Sequence, residues 1–147
     1  MKGPGYQQWR TYLRPVEDRF QAALVAGIIP DWLVLPGGLL GRQRTARISN
    51  RRIGHIAARH PRWLVFCLSH MPEVLANPEY MGFRPASDAR RVEFVRSVGS
   101  DPRLLLVSVK FRDAEDEAWV NSAHPLKERY LTRRLRAGTM QPVSRGP

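Results

Sequence analysis

The residue types that could carry acid–base or anion chemistry are concentrated in two short parts of this chain. The first is the segment Ile53-Gly-His-Ile-Ala-Ala-Arg-His-Pro61, and the second is Val120-Asn-Ser-Ala-His-Pro125. Histidine can donate or accept a proton near neutral pH, while arginine and a hydroxyl group can hold an anion. The candidate site residues are therefore His55, Arg59, His60, Ser122 and His124, with Arg112 on the strand between the two segments.

The first segment has the pattern of a short amphipathic helix. Ser49 can cap its start, because a serine hydroxyl accepts a hydrogen bond from a first-turn amide. Ile53, Ile56 and Ala57 form an apolar stripe, and His55 and Arg59 are neighbours on another face because they are four residues apart. Pro61 disfavours the helical conformation at the residue before it, so we expect the helix to end near His60.

The second half of the chain predicts strands and then a helix. Alternating patterns predict strands over residues 91–98, 103–112 and 118–124, with Gly99 and Pro102 in the first turn. A strict period of two would put Val120, Ser122 and His124 on one face of the third strand. A final basic helix is predicted over 125–136, with Gly138 as its stop.

The first half predicts helices, so we expect an α+β fold. The pattern of residues 16–26 indicates a helix, which Gly27 or the following Ile-Ile-Pro30 would end. The expected architecture is N-terminal helices, then a small antiparallel sheet, then a C-terminal helix. The expected organisation is an N-terminal extension (1–47), one main domain (48–138) and a flexible tail (139–147).

The charge predicts a polyanionic partner. The 147 residues include 24 Lys+Arg and 13 Asp+Glu, which gives a formal charge of +11. Such a surface binds nucleic acid or an anionic membrane surface, although the arginine bias could also reflect a high-GC genome. Residues 32–72 contain no acidic residue, which favours an anion-binding surface there. The residues expected to contact a nucleic-acid backbone are Arg51, Arg52, Lys110, Lys127, Arg129 and Arg133.

Several other classes of protein are disfavoured by what the sequence lacks. One cysteine, Cys67, cannot form a disulfide framework, and its apolar neighbours favour a small buried side chain. No His-Glu-x-x-His motif or carboxylate pair accompanies the histidines, so we expect no metal and no other cofactor. The apolar runs are too short to span a membrane, and the N-terminus does not resemble a secretory signal. We expect a cytoplasmic protein, with signal-independent export left open.

Metal-free RNA cleavage fits these residue types best. That reaction needs one group to take the proton of the ribose 2′-hydroxyl and another to protonate the leaving 5′-oxygen. It also needs cations or hydrogen-bond donors on the phosphate, where negative charge accumulates in the transition state.

The order of the motifs resembles the phage-type branch of the barnase–EndoU–colicin–RelE ribonuclease superfamily. The matching segments run from the His55–Pro61 element through Val74-Leu-Ala-Asn-Pro78-Glu-Tyr, Val92-Glu-Phe and Leu104-Leu-Leu-Val-Ser-Val to Val120-Asn-Ser-Ala-His-Pro125. The resemblance implies a barnase-like fold and a ribonuclease that needs no metal. It also implies that His55 is the first helical histidine, Arg59 the basic position, His60 the second histidine and Ser122 the strand hydroxyl, where threonine is commoner in the family.

Taken together, the residues and the resemblance predict an endoribonuclease, phage-encoded or toxin-like, that acts by 2′-OH transesterification. His55 and His60 would share the acid–base work, Arg59 and Arg112 would stabilise the phosphorane, and Ser122 would hold a phosphate oxygen. His124 could take part or could simply precede the last helix. Two other readings remain open: a non-catalytic nucleic-acid-binding or regulatory protein with the same fold, and a toxin whose basic face binds an acidic immunity or antitoxin protein.

Overall fold

The computed structural model describes residues 23–35, 41–83, 90–111 and 117–144. Within these ranges, the elements follow one another along the chain as β1 (Ala23–Ile29), β2 (Arg44–Ser49), α1 (Asn50–Arg59), a 3₁₀ turn (Pro61–Trp63), α2 (Leu64–Ala76), β3 (Tyr80–Gly82), β4 (Arg91–Val98), β5 (Arg103–Phe111), β6 (Glu117–Leu126), α3 (Glu128–Ala137) and β7 (Met140–Pro142). None of the helices in these ranges is long and apolar enough to cross a membrane.

One seven-stranded sheet joins all the strands, in the order β1-β2-β6-β5-β4-β3-β7. Its centre is the antiparallel meander of β4, β5 and β6, in which Phe94 lies opposite Val107 and Val107 opposite Ala123. The pairing of β2 with β6 is parallel, whereas the other pairings are antiparallel. The sheet is therefore mixed and combines strands from both ends of the described chain.

The two faces of the sheet pack against different helices. Phe94 and Val107 belong to the main core, which also contains Ile56 of α1 and Met71 of α2. Successive residues of a strand point to opposite faces. Accordingly, Val95, which follows Phe94 in β4, packs in a second cluster that contains Leu106, Met140 and Leu131 of α3. Helices α1 and α2 thus cover one face, and α3 covers part of the other.

The expected fold class is wrong. The described part of the chain is a mixed α/β structure that consists mostly of strands, with three helices on one large sheet. It does not begin with helices, because β1 and β2 precede α1 and pair with each other. The small antiparallel sheet that was expected corresponds only to the centre of the observed sheet.

The helix expected over residues 16–26 is wrong for residues 23–26, and the structure shows the physical cause. Residues 23–26 belong to strand β1, and the pairing with β2 shifts between Val25 and Gly27, as at a β-bulge. A bulge interrupts the period of two. As a result Ala26 and Ile29, three residues apart, are both buried, and this spacing imitates a helix. Residues 16–22 lie outside the described ranges.

The expected domain boundaries fall inside the observed sheet. The division between residues 47 and 48 lies within β2, and β1 before it contributes Ala26 and Ile29 to the main core. At the other end, β7 belongs to the stretch expected to be a loose tail, and it pairs with β3. Residues on both sides of the expected core domain therefore take part in the same sheet.

Several local predictions are confirmed. Ser49 caps α1 by accepting a hydrogen bond from the backbone N–H of Arg52 at 3.2 Å, and His60 is the residue at which α1 ends. Gly138 ends α3 in the left-handed conformation, with φ of 76°. The predicted last helix began too early, however, because Pro125 and Leu126 still belong to β6 and Lys127 precedes the first turn of α3.

Strand β6 contains an irregularity that changes which side chains share a face. Ser122 lies opposite Ser108, but Val120 lies opposite Val109, so β6 has one extra residue, Asn121, at this point. The bulge places Val120 with Ala123 in the main core. The prediction that Val120 shares a face with Ser122 and His124 is therefore wrong, because it assumed an unbroken period of two.

Gly82 and Gly54 allow a matched test of this packing. A Cβ on Gly82 would meet the Thr139 carbonyl oxygen and would lie 2.9 Å from Met140 Cα, because β7 passes close to β3 there. A Cβ on Gly54, on the exposed side of α1, has nothing within 4 Å. We expect Gly82→Ala to lower the free energy of unfolding by roughly 1–3 kcal/mol, as an overpacked site does.

Gly54→Ala should instead raise the free energy of unfolding by about 0.5–1 kcal/mol, because alanine is the better helix former. Urea unfolding of the two variants and of the unchanged protein gives both values. Equal stability of the two variants would contradict the observed approach of β7 to β3.

Candidate active site

His60 and His124 come together although they are far apart in the sequence. The centroids of their rings lie 5.7 Å apart, and the ring planes are tilted by 33°. His60 ends α1, where its backbone N–H donates to the Ile56 carbonyl at 2.7 Å, and Pro61 begins the 3₁₀ turn. His124 lies near the end of β6. The contact thus joins the end of a helix to the end of a central strand.

The unequal lengths of β2 and β6 create the place for this contact. The two strands pair in parallel from Thr45–Glu117 to Arg47–Trp119. Strand β2 then ends at Ser49 and α1 begins at once, whereas β6 continues to Leu126. On the edge of β6 that β2 leaves, the described chain has no further strand, and α1 contacts β6 instead.

The ring of His124 is held in a defined orientation by its own strand. Its Nδ1 lies 3.0 Å from the carbonyl oxygen of Pro125. A hydrogen on Nδ1 can be donated to this carbonyl, which leaves Nε2 to accept a proton or, once protonated, to donate one. The hydrogen bond therefore directs the chemistry of this ring to Nε2.

The surroundings of His60 disfavour its protonated form. Partial burial lowers the pKa of His60, and the positive charges of His124, Arg59 and His55 lower it further. A histidine with a lowered pKa is largely neutral at pH 7 and can accept a proton. The same residues make the site attractive to an anion, because four cationic or titratable groups converge there.

The other predicted site residues lie at different distances from this pair. Arg59 precedes His60 in the sequence, and His55 lies one turn earlier on α1; both are exposed. Ser122 is two residues from His124 and lies opposite Ser108 of β5. The structure thus places the sequence-predicted helix residues near the end of β6, while Arg112 lies outside the described ranges.

The residues expected to bind nucleic acid lie on several surfaces. Arg51 and Arg52 are exposed in the first turn of α1, and Lys110 is exposed on β5. The guanidinium carbons of Arg129 and Arg133 in α3 lie 5.1 and 5.3 Å from the centroid of the Tyr130 ring. A hydrogen bond from Arg129 and the charges of the nearby basic residues lower the pKa of Tyr130. Of this set, only Lys127 lines the groove beside His60 that is described next.

A wide groove of about 780 Å³ opens beside His60. It runs between the 3₁₀ turn, the start of β3, the turn that joins β4 to β5, and the start of α3. Its lining combines aromatic rings with both signs of charge: Trp63, Tyr80, Arg103, Lys127, Glu79 and Glu128. A groove of this volume, lined by aromatic rings and by charges of both signs, can hold a large polar ligand with flat rings.

Sequence reasoning missed the aromatic and cationic pair in this groove. The guanidinium of Arg103 lies over the Trp63 ring at 5.0 Å, and the Arg103 side chain is 51% exposed. Trp63 packs partly against the main core, and it also lines the groove. Pairing of an exposed arginine with a tryptophan from a distant element has no local sequence signal.

Cys67 lies outside the histidine cluster. Cys67 is fully buried in the main core, as predicted, and burial raises the pKa of its thiol to about 11. Among the residues that the structure describes, no group of three or more His, Cys, Asp or Glu side chains is arranged to hold a metal ion.

Comparison with protein-family models, with curated proteins and with solved structures found no match for this chain.

The lowered pKa of His60 gives a direct test of the cluster. NMR titration of the imidazole nitrogens should show His60 losing its proton below the ordinary value of 6.5. Arg59→Gln removes a neighbouring positive charge, so we expect the pKa of His60 to rise in this variant. Arg136→Gln removes a charge from the exposed face of α3 and should leave the His60 titration unchanged. A His60 pKa that does not rise in Arg59→Gln would contradict the proposed electrostatic environment.

Proposed function

We propose that this protein is an endoribonuclease that cleaves single-stranded RNA by attack of the ribose 2′-hydroxyl, with His60 and His124 as the acid–base pair. The observation that carries the proposal is the contact of these two rings at 5.7 Å in a cationic environment. Two histidines at this separation can contact the same phosphodiester group, one on the side of the nucleophile and the other on the side of the leaving group.

His60 is assigned as the base because its lowered pKa keeps it neutral at pH 7. It takes the proton of the 2′-hydroxyl as the 2′-oxygen forms a bond to phosphorus. The bond from phosphorus to the 5′-oxygen then breaks, and Nε2 of protonated His124 gives its proton to that oxygen. The products are a 2′,3′-cyclic phosphate and a free 5′-hydroxyl, and one proton has passed to His60 while another has left His124.

The neighbouring cations have supporting roles in this proposal. Arg59 is the cation next to His60 in the sequence and would stabilise the negative charge of the phosphorane. His55, exposed one turn away, contributes positive charge to His60 and is assigned to substrate binding instead of proton transfer. The choice of His124 over His55 as the acid differs from the sequence-based expectation, and it follows from the ring contact.

The preference for single-stranded RNA follows from the groove beside His60. Unstacked bases can lie on aromatic rings and on guanidinium planes, and the phosphates can contact the cations. Trp63 with Arg103, together with Tyr80 and Lys127, provides these groups within one groove. The formal charge of +11 supports association with any polyanion, but the groove favours exposed bases.

Biological context stays a prediction from the sequence. A cytoplasmic location and an acidic immunity or antitoxin protein as partner remain expectations. We expect such a partner to bind the exposed basic residues of α3. Binding of RNA without cleavage remains the alternative, and the cleavage experiment separates it from the proposal.

The proposal predicts cleavage of a single-stranded RNA oligonucleotide by the full chain in the presence of EDTA. His60→Ala and His124→Ala should each lower kcat by roughly 10²- to 10⁴-fold, the usual contribution of a general acid or base. His70→Ala is the matched control, because His70 packs on Phe66 at 4.8 Å and lies outside the cluster. The new 3′ ends should carry a 2′,3′-cyclic phosphate, detected by mass spectrometry.

Cleavage that His60→Ala leaves at its original rate would falsify the assignment. RNA that is bound with salt-sensitive affinity but stays intact would favour the non-catalytic alternative.

The groove predicts a second, separable effect on binding. Arg103→Ala removes the cation that stacks on Trp63, and we expect it to weaken binding of an oligonucleotide with 2′-deoxyribose at every position, which cannot be cleaved. The expected increase in Kd is roughly 5- to 30-fold, corresponding to about 1–2 kcal/mol of stacking. Arg136→Ala makes the same change of charge outside the groove. Equal effects of the two variants at one salt concentration would mean that only overall charge matters.

A further inference from the structure

A second, smaller cavity is lined by His124. It has a volume of about 130 Å³, and its polar lining includes Arg91, Glu93, Ser108, Ser122 and His124. These residues come from the three central strands β4, β5 and β6. The cavity is therefore built on central strands of the sheet, and sites on strands hold their side chains more precisely than sites on loops.

The strand register brings these side chains to one face. Glu93 lies opposite Ser108, and Ser108 lies opposite Ser122, so that the three form a row across the sheet. Residues directly opposite each other in antiparallel strands share a face. The bulge at Asn121 places Ser122 in this row, because Val120 before it turns to the main core.

The charge of this cavity is positive despite the glutamate. Glu93 accepts a hydrogen bond from Arg134 of α3 at 2.6 Å, so its negative charge is compensated within the protein. Arg91 also lines the cavity, and Lys110 lies directly opposite Arg91 on β5. An anion that enters would therefore meet the guanidinium group of Arg91 and the hydroxyl groups of Ser108 and Ser122.

Arg91 also presents an unused hydrogen-bond donor. Its Nε is buried and has no hydrogen-bond partner within the described ranges. Buried donors in proteins are normally satisfied, so an unsatisfied donor on a residue that lines a polar cavity indicates that this side chain can take a further partner. A tetrahedral oxyanion is such a partner, because it accepts hydrogen bonds from a guanidinium and from hydroxyls in several directions.

We propose that this cavity is a phosphate subsite, in which Arg91, Ser108 and Ser122 bind the phosphate group that reacts at His60 and His124. The inference rests on the proposed function for the identity of that phosphate, since His124 lines the cavity and contacts His60. Arg91 and Ser108 are binding residues that the sequence motifs did not indicate. Arg134 acts as a positioning residue, because it neutralises Glu93, which would otherwise repel the anion.

Inorganic phosphate is the probe that tests the subsite without requiring cleavage. Titration of the full chain at constant ionic strength, followed by NMR, should shift the backbone signals of Ser108, Ser122 and His124 with a single Kd. Arg91→Gln should weaken this binding by roughly tenfold or more, since it removes charge-assisted hydrogen bonds. Ser108→Ala keeps the charge and should weaken binding less. Arg136→Gln is the matched charge control and should leave the Kd within about twofold.

The outcomes separate the subsite from the proposed function. Shifts spread over the whole basic surface, or equal effects of Arg91→Gln and Arg136→Gln, would overturn the subsite whether or not RNA is cleaved. Localised binding that depends on Arg91 in a protein that does not cleave RNA would support the subsite and contradict the proposed function. If RNA is cleaved, Arg91→Gln should also lower kcat/KM by at least the factor by which it weakens phosphate binding, and an unchanged kcat/KM would overturn the assignment of the reacting phosphate.

Discussion

The ion pair of Glu93 with Arg134 is the interaction on which the polar face of the sheet depends. The Glu93 side chain is only 7% exposed, and Arg134 lies 2.6 Å from it. The same guanidinium donates to the Thr139 hydroxyl and to the carbonyl oxygens of Phe83 and Thr139. One arginine therefore joins α3 to β4, to the end of β3 and to the approach of β7. Removing one partner of such a buried pair typically costs about 3–5 kcal/mol, because the remaining charge is left without compensation. The pair also means that the carboxylate of Glu93, which lines the smaller cavity, has its charge compensated by Arg134.

A second constraint is the difference in length between neighbouring strands. Strand β2 stops at Ser49, while β6 runs to Leu126. The chain can therefore turn into α1 beside the part of β6 that β2 does not pair with. The helix then carries His60 to the end of the sheet where His124 lies. The bulge at Asn121 is also needed, because it places Ser122 and His124 on the polar face of the sheet and Val120 in the core. The two cavities meet at the histidine pair for these geometric reasons, since His60 lines the groove and His124 lines the smaller cavity.

The sequence predicted the parts of this arrangement that depend on neighbouring residues. The Ser49 cap, the end of α1 at His60 and the three central strands follow from local patterns, and the structure confirms them. The fold class was wrong because the bulge near Gly27 made a strand resemble a helix, and because pairing of β1 and β2 with the central strands has no local signal. The sequence brought His60 and Arg59 to attention but could not pair His60 with His124. It gave no reason to choose Arg91 or Arg103 from the many arginines, because the value of each depends on strand register and on burial.

The histidine cluster has a consequence for stability that is separate from catalysis. The pKa of His60 is lowered in the folded chain below the ordinary value of 6.5, so the unfolded chain binds a proton more readily. Well above pH 6.5 the residue is neutral in both states, and the cluster has little effect on the free energy of unfolding. As the pH falls through this value, the unfolded state gains protons first, and the folded state loses stability until His60 is protonated in both. Nothing in the packing of α1 requires this arrangement, since Ile56 alone of that helix is fully buried and His60 lies at its end. Two histidines and an arginine held together without an anion repel one another when they are charged. A bound phosphate would supply negative charge, raise the pKa of His60 and remove the penalty, which is the behaviour expected of a site built to receive an anion.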